Sequence, residues 1–237
     1  MAAGFWNVNG WSVNQSSDNF IFRSEAVNYL NFDILGLAET HLKGHETIKL
    51  DGYLWFGHNR VELHRNAWSG SGGVGFLVKQ DLLDSFDIKI EDKSSEGILW
   101  LSLKNFEDNS SFYACVCYLP PKHSTRSTDP CKFYDTLLSN IYEFQEKGMI
   151  FICGDVNSRC GEEVDFIEGI DDLPLRDVVD FKRNEYCDIL IQFLIDANFC
   201  ILNGRNCLKN DFTCIRPQGC SVVDYCFISH DCLNIFN

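Results

Sequence analysis

The sequence predicts an α/β protein in which two packed sheets are flanked by helices, rather than a doubly wound parallel sheet. Short apolar runs with strand character recur along the chain, whereas segments with helical spacing are few and far apart. Residues 98–104 place Leu99, Leu101 and Leu103 on one face and Ile98 and Trp100 on the other, so both faces of that strand are expected to be covered.

Residues 5–10, Phe-Trp-Asn-Val-Asn-Gly, read as a short strand closed by an Asn-Gly turn. A helix over 19–30 and a strand over 34–39 follow, then strands over 74–78, 86–91, 98–104 and 112–119. Asp129 as N-cap, Pro130 in the first turn and Gly148 beyond the end frame a helix with Phe133, Leu137, Ile141 and Phe144 at helical spacing. The apolar run 149–153 forms a strand that delivers Gly154-Asp155-Val156-Asn157 at its carboxyl end. A second helix starts near Asn184, with Ile189, Leu190, Phe193, Leu194 and Ala197 on its inner face. Strands are expected again over 200–202, 211–215 and 222–228.

At 237 residues, with no Pro/Ser-rich stretch to serve as a linker, the chain reads as one domain over 1–237. A hydrophobic content of 45% with 14% aromatics places it among globular chains and excludes a disordered one. No apolar run reaches the length of a membrane span, and Met1-Ala2-Ala3-Gly4 leads into strand sequence without a basic or apolar leader. A cytoplasmic or nuclear protein without a membrane partner is expected. The 12 cysteines are scattered without a CxxC pair, which points to reduced and mostly buried thiols. Cys214, Cys220, Cys226 and Cys232 lack zinc-finger spacing.

A net charge of −14 argues against a tight nucleic-acid binder, whose affinity comes from neutralised phosphates. The charge is uneven. Basic and acidic residues balance between 176 and 216, and two loops are locally basic, one with Arg60, His64 and Arg65, the other with Lys122, His123 and Arg126. A modestly basic rim suits an enzyme that meets its substrate transiently.

Gly70-Ser71-Gly72-Gly73-Val74-Gly75 spells GxGxxG, yet a strand follows it, whereas a dinucleotide fingerprint opens a helix whose N-terminus meets the pyrophosphate. It is read as a glycine-rich entry to a strand.

The polar outliers gather at strand ends. Asn7 and Asn9 follow Phe5-Trp6; Glu39 follows 34–38; Tyr118 ends 114–117; Asp155 and Asn157 follow 151–153; Asp224 opens 225–228. Polar groups at the ends of apolar strands form a site by default, and Asp155 and Asn157, two residues apart, are expected to project to the same side of an extended chain. There a carboxylate can take a proton from water while an amide holds a phosphate oxygen.

This ordered set resembles the endonuclease/exonuclease/phosphatase superfamily, the DNase I-like fold, through WNVNGW (6–11), LAETH (37–41), YLPP (118–121), GDVNSR (154–159) and SVVDYCFIS (221–229). Within it, PLRDVVD (174–180), ILNGR (201–205), FTCIRPQG (212–219) and SVVDY resemble the endonuclease modules of LINE-type non-LTR retrotransposons. The resemblance implies a four-layered α/β/β/α sandwich and metal-dependent phosphodiester hydrolysis, here by a DNA endonuclease. Glu39 then matches the metal-binding glutamate, with Asn9 beside it, for Mg²⁺ or Mn²⁺. Asp155 matches the residue that orients and deprotonates water, Asn7 and Asn157 match positioning amides, and Tyr118 matches the hydrogen-bond donor to the phosphate. Asp224 matches the carboxylate that orients a catalytic histidine, while Thr213 and Arg159 fall on the substrate side. DNA is the implied partner, met transiently, with a reverse-transcriptase domain expected in a full-length relative.

Two departures carry expectations of their own. Many relatives have aspartate where Asn9 stands. The family also ends in a Ser-Asp-His strand that this sequence lacks, so the domain is expected to be incomplete at its C-terminus, without its final strand, and weakly active or inactive. His230 is no substitute: it lies six residues past Asp224, roughly 20 Å along an extended strand at about 3.3 Å per residue, and residues 229–231 are expected to begin an exposed loop. The alternatives are a non-catalytic remnant or binding module, and a phosphoinositide or sphingomyelin phosphoesterase.

Overall fold

A computed structural model describes residues 1–60, 70–205 and 210–235. His64, Arg65 and Lys209, which enter the charge pattern above, lie outside the described residues. By its internal contacts the chain divides into two compact units, Met1–Tyr118 and Leu119–Asn237.

The first unit runs β1 (Ala3–Asn7), α1 (Asp18–Leu30), β2 (Ile34–Ala38), β3 (Tyr53–His58), β4 (Val74–Lys79), β5 (Phe86–Asp92), β6 (Ile98–Asn105) and β7 (Ser111–Tyr118). The first four strands make a sheet of order β1-β2-β4-β3, in which β1 pairs parallel to β2 and the other pairs are antiparallel. Strands β5, β6 and β7 pair antiparallel in a second sheet. The two sheets pack on each other, since β2 and β4 touch β7 while β3 and β4 touch β6. That explains why Leu99, Leu101 and Leu103 are buried together with Ile98 and Trp100 on the opposite face of β6, as the double-sided apolar run predicts.

Helix α1 starts where Ser17 accepts the Phe20 N–H, and Asn31 closes it in a left-handed conformation. Its Val27 packs into a core with Val8, Trp11, Leu35, Leu37, Leu42 and Leu77. Strand β3 is absent from the sequence reading. Its signal was present: Asp51-Gly52 is a turn dipeptide, and the Tyr-Leu-Trp-Phe run after it has high strand preference.

The second unit contains α2 (Pro130–Phe144), β8 (Met149–Asp155), α3 (Cys187–Ala197), β9 (Phe199–Ile201), β10 (Cys214–Arg216), β11 (Gly219–Ser221) and β12 (Asp224–Ser229). Asp129 caps α2 by accepting the Cys131 N–H, and Phe133, Leu137, Ile141 and Phe144 are buried as expected. β12 pairs antiparallel with both β8 and β9, while β10 and β11 form a separate hairpin.

Helix α3 starts later than the sequence suggests because Asn184 serves a loop instead of the helix. Its Leu190, Phe193, Leu194 and Ala197 are buried. Residues 229–231, expected to begin an exposed loop, lead instead into a 3-10 turn spanning His230–Ile235. His230 is held at Phe199 O (3.2 Å) and Asn198 O, and Leu233 is buried against Cys200, Leu202 and Ile228. The apolar Leu233 supplies the burial that an exposed loop would lack.

Candidate active site

In the first unit the strand-end residues converge through backbone zippering. Beyond β1, Val8, Gly10 and Trp11 donate their N–H groups to Ala38, Glu39 and Thr40, so Asn7, Asn9 and Glu39 are held together. The Nε and Nη2 of Arg23, on α1, both donate to Val8 O, at 3.2 and 2.5 Å. Asn7 Nδ2 donates to Glu39 Oε1 at 2.7 Å, and His41 Nε2 lies 3.5 Å from Glu39 Oε2.

The glycine run rejected as a nucleotide fingerprint has a different task. The N–H groups of Thr40 and His41 donate to Gly73 O and Gly72 O. A Cβ on Gly70 would fall 2.1 Å from His41 O, and one on Gly73 (φ +82°) would fall 2.6 Å from Thr40 Oγ1. Only glycine lets this run approach the segment carrying Glu39. Gly72 faces the ring of Tyr118, which is 9% exposed at the end of β7.

In the second unit Asp155 and Asp224 stand opposite each other in the β8–β12 register. Asp155 Oδ1 accepts the Asn157 N–H at 3.0 Å, and Asn157 Nδ2 donates to Leu119 O at 2.9 Å. The strand ends at Asp155, and Asn157 has a φ of +48°. Alternation along an extended chain therefore does not relate these two side chains. An Asx turn does.

The same local device occurs at Asn7, whose Oδ1 accepts the Asn9 N–H at 3.0 Å, with Asn9 at φ +43°. Glu39 (φ +50°) and His41 (φ +57°) are also left-handed. For a glutamate this backbone is rare, and such strain persists only where the surroundings enforce it. Here the enforcement comes from the zippered N–H groups around it.

Asp224 is anchored by two segments distant in sequence. Thr213 Oγ1 accepts the N–H groups of Val223 (3.1 Å) and Asp224 (3.2 Å), and Asn203 Nδ2 donates to Asp224 O at 3.2 Å. Arg159 is committed to an ion pair: its Nε and Nη2 meet the two carboxylate oxygens of Asp180 at 2.8 and 2.6 Å. Asp180 also accepts the N–H groups of Val222 and Lys182. Burial pushes the Asp180 carboxyl up, but the Arg159 hydrogen bonds and these N–H groups outweigh it and hold it below the usual carboxylate value.

Residues given no site role by the sequence complete this scaffold. Asn184 Nδ2 donates to Asn157 O (2.7 Å), and its Oδ1 accepts the Arg159 N–H (3.1 Å). Tyr225 hydroxyl bonds to the carbonyls of Ser158 and Val222, and burial raises its pKa well above the ordinary tyrosine value. Asn184 is 27 residues from Asn157, and no local pattern announces it.

The locally basic loops are weaker cations than a count along the sequence suggests. Arg60 pairs with Glu96 at 2.6 Å, and Lys122 and His123 both lie 3.5 Å from Glu185. Tertiary folding brings these glutamates in from elsewhere.

The sequence pattern of the Endonuclease/Exonuclease/phosphatase family matches residues 4–236. The chain belongs to that family. No curated protein matches it. Among solved structures, an AP endonuclease from Leishmania major superposes with a TM-score of 0.67 at 14% identity, covering 97% of this chain and 79% of that one. The catalytic domain of Xenopus laevis APE2 gives 0.63 at 19% identity, covering 99% and 84%. The mannosyl-6-phosphatase Bt3783 of Bacteroides thetaiotaomicron gives 0.57 at 14%, covering 97% and 85%. At these identities the likeness shows the fold alone, a mixed α/β fold with two large sheets and helices that is shared with DNase I-like proteins.

The donor set of this family member suits a hard, hydrated cation. Glu39 offers a carboxylate with a side chain 21% exposed, beside the amides of Asn7 and Asn9. Among the described residues no group of three or more His, Cys, Asp and Glu forms a cage. An ion taken up by one carboxylate would keep most of its water, the manner in which Mg²⁺ binds. No helix among the described residues is long and apolar enough to cross a membrane.

Proposed function

We propose that this chain is the Mg²⁺-dependent DNA endonuclease module of a LINE-type non-LTR retrotransposon. Glu39, assisted by Asn7 and Asn9, holds the metal, with Mn²⁺ as an acceptable substitute. When bound, the ion neutralises charge that builds on the phosphoryl oxygens. Asp155 accepts a proton from water, the resulting hydroxide attacks phosphorus, and the bond to the 3′ oxygen breaks as that oxygen takes up a proton from solvent. The products are a 5′ phosphate and a 3′ hydroxyl, the end that a polymerase extends. Asn157 and Tyr118 donate to the phosphoryl oxygens as charge develops, and Asp224, with Thr213 behind its backbone, is the second carboxylate of this half of the chemistry.

The observation that carries the reading is the anchoring of Asp224. Three of the four segments that resemble the retrotransposon branch, ILNGR, FTCIRPQG and SVVDY, supply Asn203, Thr213 and Asp224, which are hydrogen-bonded together. The match over residues 4–236 includes both compact units, which supports a single domain as the working unit. AP endonuclease relatives in fold favour DNA over other phosphoesters, while the sugar-phosphatase relative makes the comparison of substrates necessary.

The test offers the chain supercoiled plasmid, abasic duplex, a phosphoinositide and a sugar phosphate, each with Mg²⁺ and with chelator. Weak, metal-dependent nicking of intact plasmid is expected, in keeping with the absent Ser-Asp-His strand, with no release of phosphate from the small molecules. Preferential hydrolysis of the phosphoinositide or the sugar phosphate would replace the reading.

A further inference from the structure

His41 holds none of the roles assigned above, yet its ring is built into the wall of the site. Residues 39–41 are clamped along both edges. Glu39 O and Thr40 O accept the N–H groups of Gly10 and Trp11 at 2.6 and 2.8 Å, while Thr40 and His41 donate to Gly73 O and Gly72 O at 3.2 and 2.9 Å. Thr40 is 0% exposed, whereas Glu39 and His41 on either side of it keep side chains 21% and 25% exposed and meet each other. Both stand in the left-handed region, at φ +50° and +57°.

Two contacts aim the imidazole. A Cβ on Gly10 (φ +93°) would stand 3.1 Å from His41 Nδ1, so this glycine lets one edge of the ring lie against the backbone. The other ring nitrogen, Nε2, lies 3.5 Å from Glu39 Oε2. Asn7 Nδ2 donates to the second oxygen of that carboxylate, Oε1, at 2.7 Å. The two oxygens of Glu39 therefore face different partners, an amide on one side and an imidazole on the other.

A separation of 3.5 Å selects among metals. Two atoms each about 2.1 Å from one ion stand about 3.0 Å apart at a right angle and about 3.4 Å apart at the tetrahedral angle. The spacing of Oε2 and Nε2 matches the wider angle. Octahedral Mg²⁺ prefers carboxylate and water, whereas Zn²⁺ accepts imidazole and carboxylate together in a tetrahedral shell. Among the described residues no third His, Cys, Asp or Glu joins the pair, so two positions of such a shell fall to water or to a phosphate oxygen.

We propose that Glu39 Oε2 and His41 Nε2 form a chelate for Zn²⁺, and that Zn²⁺ held there withdraws Glu39 from Mg²⁺. The imidazole adds a donor that Zn²⁺ uses and Mg²⁺ does not, so the pair discriminates between them. The chelate stands on the geometry of residues 39–41; its effect on nicking rests on the function proposed above.

The full chain is titrated with Zn²⁺ alone and with Mg²⁺ alone, and the histidine side-chain nitrogens are followed by long-range ¹H–¹⁵N correlation. One of the 6 histidines is expected to shift its Nε2 resonance with Zn²⁺ and not with Mg²⁺. The same signal should be missing from His41→Asn, whose asparagine tolerates the left-handed backbone but is too short to reach the ion. Zn²⁺ affinity by calorimetry should fall about tenfold or more in that variant. In plasmid nicking with Mg²⁺, added Zn²⁺ should inhibit the wild type, and His41→Asn should need about tenfold more Zn²⁺ for the same inhibition. A shift at another histidine, or at none, would overturn the chelate, and the wild-type spectrum decides this even where the variant does not fold. A shift at His41 without inhibition of nicking would overturn the competition with Mg²⁺. Should the chain nick no DNA at all, the function fails and the spectrum still decides the chelate.

Discussion

Asn7 Nδ2 donates to Glu39 Oε1 at 2.7 Å, while Asn7 Oδ1 accepts the Asn9 N–H, so one side chain orients the carboxylate and shapes the turn beside it. Removing it disorders both. Asn7→Ala is expected to weaken Mn²⁺ binding, read by electron paramagnetic resonance, by about tenfold, the usual effect of losing a group that orients a ligand. Asn7→Asp keeps the turn acceptor and sets a second negative charge against Glu39. It should lower the melting temperature without metal and recover with it. Unchanged Mn²⁺ affinity in Asn7→Ala would separate Glu39 from metal binding.

Asp180 links stability to acid. Its carboxyl is held below the ordinary value of 3.8, so the Arg159 pair contributes fully above that pH and is lost as pH falls through the lower, folded-state value. Asp180→Asn should therefore narrow the stability gap between pH 6 and pH 3 in urea unfolding. At pH 6 it should destabilise by about 3 kcal/mol, because Arg159 is left without its anion. A gap equal to that of the wild type would contradict the assignment.

Asp165 and Arg205 form the most deeply buried ion pair among the described residues, with side chains 0% and 1% exposed. Asp165 also accepts the Ile201 N–H, and Arg205 lies over the Phe166 ring. Arg205→Met strands a buried carboxylate and should cost about 3–5 kcal/mol, whereas pairing it with Asp165→Leu should recover part of that loss. Melting curves of the single and double variants measure the difference.

Glu185 draws Lys122 and His123 away from a polyanion. Glu185→Gln should tighten DNA binding at low salt and steepen the dependence of log K on log salt by about 1, one released counterion per freed cation. An unchanged slope would place Lys122 away from the DNA.

The elements with two-sided or helical periodicity were legible because burial alone fixes them: β6 through its alternating leucines, α2 through Asp129, Pro130 and its apolar stripe. The strand-end positions of Asn7, Glu39, Tyr118, Asp155 and Asp224 were legible for the same reason. What holds them was not. The left-handed backbone at Glu39 is enforced by hydrogen bonds to distant segments, and that at Asn9 and Asn157 accompanies Asx turns that an extended-strand reading does not contain. Arg159 looked available for substrate because Asp180 is 21 residues away, and Asn184 looked like a helix start because its loop partners are equally remote. Arg60, Lys122 and His123 read as free cations on similar grounds, since Glu96 and Glu185 meet them through space.

The central claim is that the Asp155 carboxylate activates water, and Asp155→Asn isolates it, since the amide oxygen can still accept the Asn157 N–H and preserve the turn. The decisive measurement is the single-turnover rate of plasmid nicking with saturating Mg²⁺ in wild type and Asp155→Asn, alongside their melting temperatures. A fall of about 10²–10⁴-fold with melting unchanged is predicted. Nicking by the variant within about threefold of wild type, well short of the roughly 10²-fold expected on losing a general base, would contradict the account.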